Sequence, residues 1–245
     1  MRDGMRGGVR VQEAARRLAP TLEVDEARDV VHWSDGTTRR TTGLHDYAAL
    51  YAVQGLYEAV YVERLGSGSP ALLAAALAEV VPPDARPGRR VLDAGAGTGL
   101  VGEHLVRTGF APVWAVDLEP ASPVAVLRDR PEHHRDARAL DLLAPTDADR
   151  AWLGEVAPDV VTVSGAVGFG HLPAPAFAVL TDLLPAGGLL AVTVAPDLAV
   201  SPELAEHAAV LLGPSCSVVA RREGLHRRTC TGEPLPVHAL VLERT

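Results

Sequence analysis

The sequence predicts an α/β protein with a doubly wound, mostly parallel sheet of seven strands whose last strand is antiparallel. Three observations support this prediction. From residue 89 onward, short and continuously apolar runs alternate with helical segments, and such runs are typical of strands that are buried on both faces. The alternation of strand and helix is typical of crossover connections between parallel strands. The last two runs have no helix between them, so they must pair as antiparallel neighbours.

The positions of the predicted elements follow from this alternation. The five parallel strands are expected at 90–93, 112–117, 134–140, 159–164 and 189–194. Helices are expected around 100–108, 122–129, 147–153, 174–184 and 201–212. The two tail strands, which should end the sheet in a hairpin-like reversal, are expected at 216–222 and 237–242.

The chain before the sheet is expected to form two parts. Residues 1–43 are predicted to be an N-terminal extension with an amphipathic helix at 9–18. The turn-rich stretch 34–38 allows either two short extended segments or a loop. Residues 44–87 are predicted to be a helical lid. The core, residues 88–245, begins after a proline-rich stop.

Two helices are expected in the lid, at 44–64 and 71–81. The first carries all the tyrosines of the chain: Tyr47, Tyr51, Tyr57 and Tyr61. An aromatic face at helical spacing is more often packing than binding surface. The role of the tyrosines therefore stays open between a lid and a core.

Composition narrows the classes of function. The chain of 245 residues has a net charge of −8, no lysine and no basic cluster, which disfavours binding of nucleic acid. Its apolar stretches are far shorter than the roughly 20 residues of a membrane helix, and the N-terminus has no signal-peptide pattern. Cys216 and Cys230 are too few for a disulfide framework or a metal site. We therefore expect a cytoplasmic protein without metal, nucleic acid or membrane partners, and the sequence leaves a homodimer open.

A glycine-rich turn follows the first core strand. Gly95, Gly97 and Gly99 allow backbone N–H groups to approach a ligand in front of the next helix. Asp117 ends the second core strand, where a carboxylate can accept hydrogen bonds from both hydroxyls of a ribose. This pairing predicts a nucleoside site.

The identity of the nucleoside is indicated by the charge near the turn. Residues 97–102 match the dinucleotide fingerprint G-x-G-x-x-G, which alone is weak evidence. Asp93 stands just before the turn, where it would repel a pyrophosphate and attract an ammonium group. S-adenosylmethionine carries an ammonium and a sulfonium and no phosphate. The charge therefore favours this cofactor over a dinucleotide.

The segment from Asp93 to Gly99 resembles motif I of the class I S-adenosylmethionine-dependent methyltransferases, which have a Rossmann-like fold. The similarity extends from about residue 44 to the C-terminus. Further resemblances are the acidic motif at 117–118, the adenine-contacting segment at 140–142, motif IV at 158–165 and the turn at 183–190. Within the class, residues 99–102 and 170–173 most resemble the Williams–Beuren-region methyltransferase-like group.

The resemblance implies a role for each matching residue. Asp93 would lie near the methionine ammonium of S-adenosylmethionine. The glycines Gly95, Gly97 and Gly99 would line the methionine and ribose. Asp117 would accept hydrogen bonds from the ribose hydroxyls.

The adenine is expected to contact the ends of the second and third core strands. Leu118 would lie against its face, Asp141 would accept from its amino group, and Leu142 would donate its backbone N–H. Asp136 is an alternative to Asp141, because the register of the third strand is ambiguous by several residues.

Ser164 and Gly165 end the fourth core strand and would lie beside the transferred methyl group. His171 follows closely and is the expected catalytic residue, because an imidazole can act as a base near neutral pH. A base is needed only where the acceptor must lose a proton. The sulfonium is already a strong electrophile, so alignment of the reactants supplies most of the catalysis.

Three functions remain open. The first is methyl transfer to an O, N or C nucleophile of a small molecule, such as a specialised metabolite, because the chain has no added domain for a macromolecule. The second is a cyclisation or rearrangement that uses the bound cofactor without transferring its methyl group. The third is an NAD(P)-dependent oxidoreductase, which predicts a functional Gly102.

Overall fold

The computed structural model describes residues 6–167 and 171–245, which contain two β-sheets. The strands are β1 (Glu23–Asp25), β2 (Val30–Ser34), β3 (Arg39–Gly43), β4 (Val91–Ala94), β5 (Val113–Asp117), β6 (Asp136–Ala139), β7 (Val160–Val163), β8 (Leu189–Val194), β9 (Cys216–Arg228) and β10 (Pro234–Arg244). The α-helices are α1 (Arg6–Leu18), α2 (Tyr47–Ala52), α3 (Ser69–Val80), α4 (Leu100–Arg107), α5 (Ala121–Asp129), α6 (Asp147–Val156), α7 (Ala174–Asp182) and α8 (Ala205–Leu211).

The larger sheet has seven strands in the order β6-β5-β4-β7-β8-β10-β9. The strands β4 to β8 pair in parallel, and β10 pairs antiparallel with both of its neighbours. Every residue of β4, β7 and β8 is buried, which explains their continuously apolar sequences. The predicted fold class is confirmed, including the antiparallel end of the sheet.

Helices cover both faces of this sheet. Successive strand residues point to opposite faces, so Leu92 packs towards α6, α7 and α8, whereas Val91 packs towards α3 and α4. The result is a three-layer α/β/α core. In the part of the chain that the structure describes, no helix is long and apolar enough to cross a membrane.

Strand β9 is longer than the predicted 216–222 and reaches the edge where ligands bind in such folds. It is antiparallel to β10, which is antiparallel to β8, so β9 runs in the same direction as the parallel strands. Its last residues therefore lie at the carboxyl edge of the sheet, together with the ends of β4 and β7. The polar and partly exposed sequence after Arg222 hides this extension from a hydrophobic pattern.

The N-terminal extension contains the expected helix, α1, and a three-stranded antiparallel sheet of β1, β2 and β3. Residues 35–38 form the turn between β2 and β3, so the two extended segments lie on either side of the turn-rich stretch. The turn between them is held by Asp35, whose carboxylate accepts hydrogen bonds from the backbone N–H groups of Thr37 and Thr38, both at 2.9 Å.

The prediction of one helix over 44–64 is wrong. The segment forms α2, a turn, and then a π-helical stretch, Glu58–Arg64. Gly55 lies in the turn with a φ of +77°, and a Cβ there would be 2.7 Å from the backbone nitrogen of Ala15. The close packing of α1 against this turn requires the break, and no pattern local to the segment shows it.

Candidate functional site

A cavity of about 330 Å³ opens at the carboxyl edge of the large sheet. Its size is within the range of small-ligand pockets. The glycine-rich turn and the ends of β5, β6 and β7 form one side, and α2 with its following turn forms the other. Among the lining residues are the expected ones Gly95, Gly97, Asp117, Leu118, Asp141, Leu142, Ser164, Gly165 and His171.

The turn between β4 and α4 has a backbone that favours glycine. Gly95, Gly97 and Gly99 have φ values of +68°, +56° and +83°, which side-chain-bearing residues rarely adopt. Gly97 also lies close to Tyr51, since a Cβ at Gly97 would be 2.9 Å from the tyrosine hydroxyl. The turn therefore brings its backbone to the cavity between a strand end and an aromatic ring.

Asp117 connects the end of β5 to this turn. Its Oδ2 accepts a hydrogen bond from the Gly97 N–H at 2.8 Å, and its Oδ1 accepts one from the Glu119 N–H at 2.9 Å. A carboxylate offers about four acceptor positions, so two remain for a ligand. Burial raises the pKa of Asp117, and the backbone hydrogen bonds oppose that rise.

Asp93 lies beneath the turn and does not line the cavity. It is 1% exposed, and its Oδ1 accepts a hydrogen bond from the Thr162 hydroxyl at 2.9 Å. Burial raises the pKa of Asp93 to about 7, and the negative charge of Asp117 adds to that rise. Asp93 therefore lies behind the wall of the cavity, and its expected position near an ammonium group stays a prediction.

Gly99 and Gly102 face a buried histidine instead of the cavity. A Cβ at Gly99 would lie 2.6 Å from Cε1 of His134, and a Cβ at Gly102 would lie 2.1 Å from its Nε2. The last glycine of the dinucleotide fingerprint is thus explained by the packing of α4 against His134. No ligand contact is needed to account for it.

The residues expected to contact adenine, Leu118, Asp141 and Leu142, line the cavity. Leu118 is 70% exposed and lines the cavity together with Leu142. Asp141 also lines it, and its Oδ1 accepts a hydrogen bond from the Leu143 N–H at 2.9 Å. Asp136 instead accepts a hydrogen bond from the Trp152 indole N–H at 2.9 Å. Of the two alternatives, Asp141 is the one on the cavity wall.

Ser164, Gly165 and His171 form the opposite end of the cavity. The Gly165 N–H donates to the Thr193 hydroxyl at 2.7 Å. The Ser164 hydroxyl is buried without a hydrogen-bond partner in the described chain. Burial lowers the pKa of His171, and the charge of His45 acts in the same direction. Residues 168–170, which include the first residue of the 170–173 segment, lie outside the described residues.

Aromatic rings line the cavity between the glycine-rich turn and His171. Tyr47, Tyr51 and Tyr57 line it, and the chain of ring contacts continues to Tyr61. The ring centroid of Tyr47 is 6.3 Å from that of His171. Burial raises the pKa of Tyr51 well above its usual value, so the phenol stays neutral. The sequence had left these tyrosines open between packing and a lid. Tyr51 and Tyr61 are buried in the core, and the lid stays a prediction.

A buried ion network holds the glycine-rich turn from behind, and no local sequence pattern indicates it. The Arg130 guanidinium donates to Glu58 at 2.8 Å, to Glu103 at 2.7 Å and to the Thr98 carbonyl at 2.9 Å. The Thr98 hydroxyl donates to the same Glu58 oxygen at 2.7 Å. Burial alone would lower the pKa of Arg130, but the two carboxylates raise it.

The charges on the cavity wall are acidic. Asp117, Glu119 and Asp141 line it, and no arginine does within residues 6–167 and 171–245. Over the same described ranges, no group of three or more His, Cys, Asp or Glu residues is arranged to hold a metal ion. The wall therefore suits a ligand that carries positive or no charge and donates hydrogen bonds.

Comparisons with known proteins bear on the fold. No family model matches the chain, and no curated protein matches it. A putative RNA methyltransferase from Pyrococcus horikoshii is 12% identical, with a TM-score of 0.53 over 97% of this chain and 99% of its own. Magnesium protoporphyrin IX methyltransferase from Synechocystis PCC 6803, solved with bound S-adenosylhomocysteine, is 18% identical, with a TM-score of 0.50 over 72% of this chain and 83% of its own.

A third similar structure comes from work on the conversion of a disulfide bond into a thioacetal group during echinomycin biosynthesis. It is 22% identical, with a TM-score of 0.51 over 73% of this chain and 83% of its own. The chain therefore has the class I fold of the S-adenosylmethionine-dependent methyltransferases. The Williams–Beuren-region subgroup stays a prediction.

Proposed function

We propose that the protein transfers a methyl group from S-adenosylmethionine to a small molecule, such as a specialised metabolite. The observation that carries this proposal is the pairing of Gly97 with Asp117 on the wall of an acidic cavity that tyrosine rings also line. The S-adenosylhomocysteine bound to a methyltransferase of similar fold supports the choice of cofactor.

The residues of the cavity fit this cofactor. Asp117 keeps acceptor capacity for two ribose hydroxyls, and the exposed face of Leu118 suits an adenine ring. Asp141 and the backbone N–H of Leu142 suit the adenine edge. The unpartnered Ser164 hydroxyl offers a further hydrogen bond at the other end. A dinucleotide fits less well, because its pyrophosphate would meet carboxylates and no arginine.

When bound, S-adenosylmethionine supplies an electrophilic methyl group on a sulfonium. The chain's own contribution is alignment and exclusion of water, for which the rings of Tyr47, Tyr51 and Tyr57 form a wall. Correct alignment of two bound reactants can account for about 7–11 kcal/mol of a barrier. His171 lies at the same end and is proposed to contact the acceptor.

The proposal is tested by ligand binding followed by product analysis. S-adenosylmethionine or S-adenosylhomocysteine at a hundredfold excess over its dissociation constant should stabilise the fold by about 2.7 kcal/mol, and NAD should not. A thermal shift with NAD alone would favour the oxidoreductase. Binding of the S-adenosyl compounds, with a product whose mass shows no added methyl group, would favour the cyclisation or rearrangement.

A further inference from the structure

A serine–histidine pair lies beside Gly165 and Pro70, which line the cavity, and outside the residues that the resemblance implied. The Ser69 hydroxyl oxygen and Nδ1 of His226 are 2.8 Å apart, and Ser69 is 2% exposed. Ser69 begins α3 and precedes Pro70, which lines the cavity. His226 lies near the end of β9, at the carboxyl edge of the sheet. The two residues are 157 positions apart in the sequence.

The backbone holds this imidazole firmly. The Gly68 N–H donates to the His226 carbonyl at 2.9 Å, and the Arg228 N–H donates to the Leu65 carbonyl at 2.6 Å. Gly68 is tightly packed, because a Cβ there would lie 2.7 Å from the Leu225 carbonyl oxygen. The end of β9 is therefore bound along the segment 65–68, which fixes where the ring can lie.

The free edge of the ring faces the cavity wall. Ser69 engages Nδ1, so the Cε1–Nε2 edge points away from α3. Cε1 is 3.8 Å from the position that a Cβ on Gly165 would take, and Gly165 lines the cavity where Ser164 and His171 also meet. A larger residue at 165 would stand between the ring and a ligand. Glycine leaves that approach open.

We propose, on the basis of the methyl transfer proposed above, that the acceptor is a neutral hydroxyl compound and that His226 is a catalytic residue that receives its proton. Ser69 is a positioning residue, which accepts a hydrogen bond from Nδ1–H and thereby leaves the Nε2 lone pair for the acceptor.

The reaction balances with these groups. A lone pair of the acceptor oxygen forms the new O–CH₃ bond while the S–CH₃ bond breaks, and the electron pair of that bond stays on sulfur. The O–H electron pair stays on oxygen, and its proton passes to Nε2 of His226. The imidazolium returns this proton to water after the product leaves.

A positioned imidazole serves a hydroxyl acceptor, which must lose a proton, and is not needed by a neutral amine. Burial lowers the pKa of His226 to about 4, and the positive charge of Arg227 acts in the same direction. So weak a base takes a proton from the strongly acidic oxonium that forms at a methylated hydroxyl. A neutral amine needs no such base, because its methylated ammonium, with a pKa of about 10 like that of lysine, can leave protonated. A carboxylate acceptor is disfavoured by the acidic wall.

The first test needs no acceptor. Nitrogen-15 spectra of the imidazoles, recorded on the whole protein with S-adenosylhomocysteine, should show His226 as the Nδ1–H tautomer, and Ser69→Ala should disturb it. Observation of the Nε2–H tautomer in the wild-type protein would overturn the proposal. His32 provides a matched control, because its Nδ1 also lies 2.8 Å from a hydroxyl, that of Thr41, in the N-terminal sheet.

The second test identifies the product. S-adenosylmethionine with a carbon-13 methyl group is incubated with the protein and a small-molecule extract of the source cells, and the carbon-13 shift distinguishes O–CH₃ from N–CH₃ and C–CH₃. An O–CH₃ product supports the proposal, and either of the others overturns it. Failure to form any labelled product counts against the proposed methyl transfer itself, while the tautomer still tests the role of Ser69 and His226.

The third test uses the variant His226→Asn, whose amide N–H can still donate to Ser69 while the Nε2 base is gone. We expect kcat on the labelled acceptor to fall by about 10²–10⁴-fold, with KM and cofactor affinity nearly unchanged. A higher pH should partly restore the kcat of this variant on a phenolic acceptor, because the hydroxyl then ionises without a base. His32→Asn should keep full activity. An unchanged kcat in a folded His226→Asn would overturn the assignment.

Discussion

The carboxylate of Asp117 accepts a hydrogen bond from the backbone N–H of Gly97 at 2.8 Å. The carbonyl of the same glycine accepts a hydrogen bond from the Ser122 hydroxyl at 2.7 Å. Both sides of this turn are therefore fixed before any ligand binds. A site that is already formed avoids the cost of ordering a loop on binding.

Asp117→Asn should weaken binding of S-adenosylmethionine. The substitution removes the charge and about half of the acceptor positions, and hydrogen bonds to charged groups contribute about 1.5–3 kcal/mol each. We expect a dissociation constant roughly 10- to 100-fold higher by titration calorimetry. Asp147→Asn, an exposed acid at the start of α6, is the control and should bind normally. Equal affinity in both variants would remove Asp117 from the site.

Gly102→Ala should destabilise the fold although it lies in a helix. Alanine usually stabilises a helix relative to glycine by roughly 1 kcal/mol, but a Cβ here would meet Nε2 of His134 at 2.1 Å. Overpacking of this kind costs about 1–3 kcal/mol. Gly154→Ala in α6 is the matched control, because nothing lies within 4 Å of its Cβ position. Urea unfolding should show opposite signs for the two variants.

His134→Ala should reverse the effect of Gly102→Ala. Removing the imidazole opens the space that the new methyl group needs, so the double variant should be more stable than the sum of the single changes implies. Additive losses would mean that the contact with His134 is not the reason for glycine at 102. Additive losses would also leave a ligand-binding role for Gly102 open.

His134 should make the free energy of unfolding depend on pH between about 6.5 and 4. Burial lowers the pKa of His134 to about 4. The unfolded chain therefore binds a proton at a higher pH than the folded chain does, and stability is lost as the pH falls through this range. The full effect is roughly 3 kcal/mol. The difference in unfolding free energy between wild type and His134→Gln should shrink by about this amount on acidification.

Asp93 should change the free energy of unfolding over a similar pH range, but in the opposite direction. Its folded pKa is raised to about 7, so its contribution to stability is lost as the pH rises from about 4 to 7. Asp93→Asn should therefore gain stability relative to wild type as the pH rises. The two variants need to be compared separately with wild type, because the effects largely cancel in the wild-type curve. Parallel curves for wild type and both variants would contradict both assignments.

The fold was predictable because parallel strands that are buried on both faces appear in the sequence as short apolar runs. Strands such as Val160–Val163 and Leu189–Val194 are apolar on both faces, and the glycine turn and Asp117 occupy positions that the chain alternation defines. The break at Gly55 was not predictable, because it is required by the packing of α1, which comes from another part of the chain. His226 could not be assigned either, because its place beside Gly165 depends on the direction of β9 in the sheet.

Asp93 shows a second reason why the surroundings of a site residue could not be predicted from the sequence. Its position beside the turn predicted a charged group near the ligand, and the sequence did not show that its side chain turns towards Thr162 in the interior. The side of a strand that an isolated acid faces depends on the sheet as a whole. Burial then changes its chemistry, since the charge that made it attractive as an ammonium partner is partly neutralised by protonation.

His171→Asn should lower turnover and leave the affinity for S-adenosylmethionine unchanged. The residue lies across from Tyr47, at the end of the cavity where the acceptor is proposed to bind. Burial lowers the pKa of His171, so its imidazole is neutral at pH 7 and can hydrogen-bond a hydroxyl without competing with the cofactor's positive charge. Steady-state kinetics on the labelled acceptor separates two roles. A rise in KM with little change in kcat would mean that His171 only binds the acceptor, whereas a fall in kcat with KM unchanged would mean that it acts in the transition state. If both parameters match wild type at pH 7, His171 has no part in the reaction, and His226 alone would remain to receive the proton.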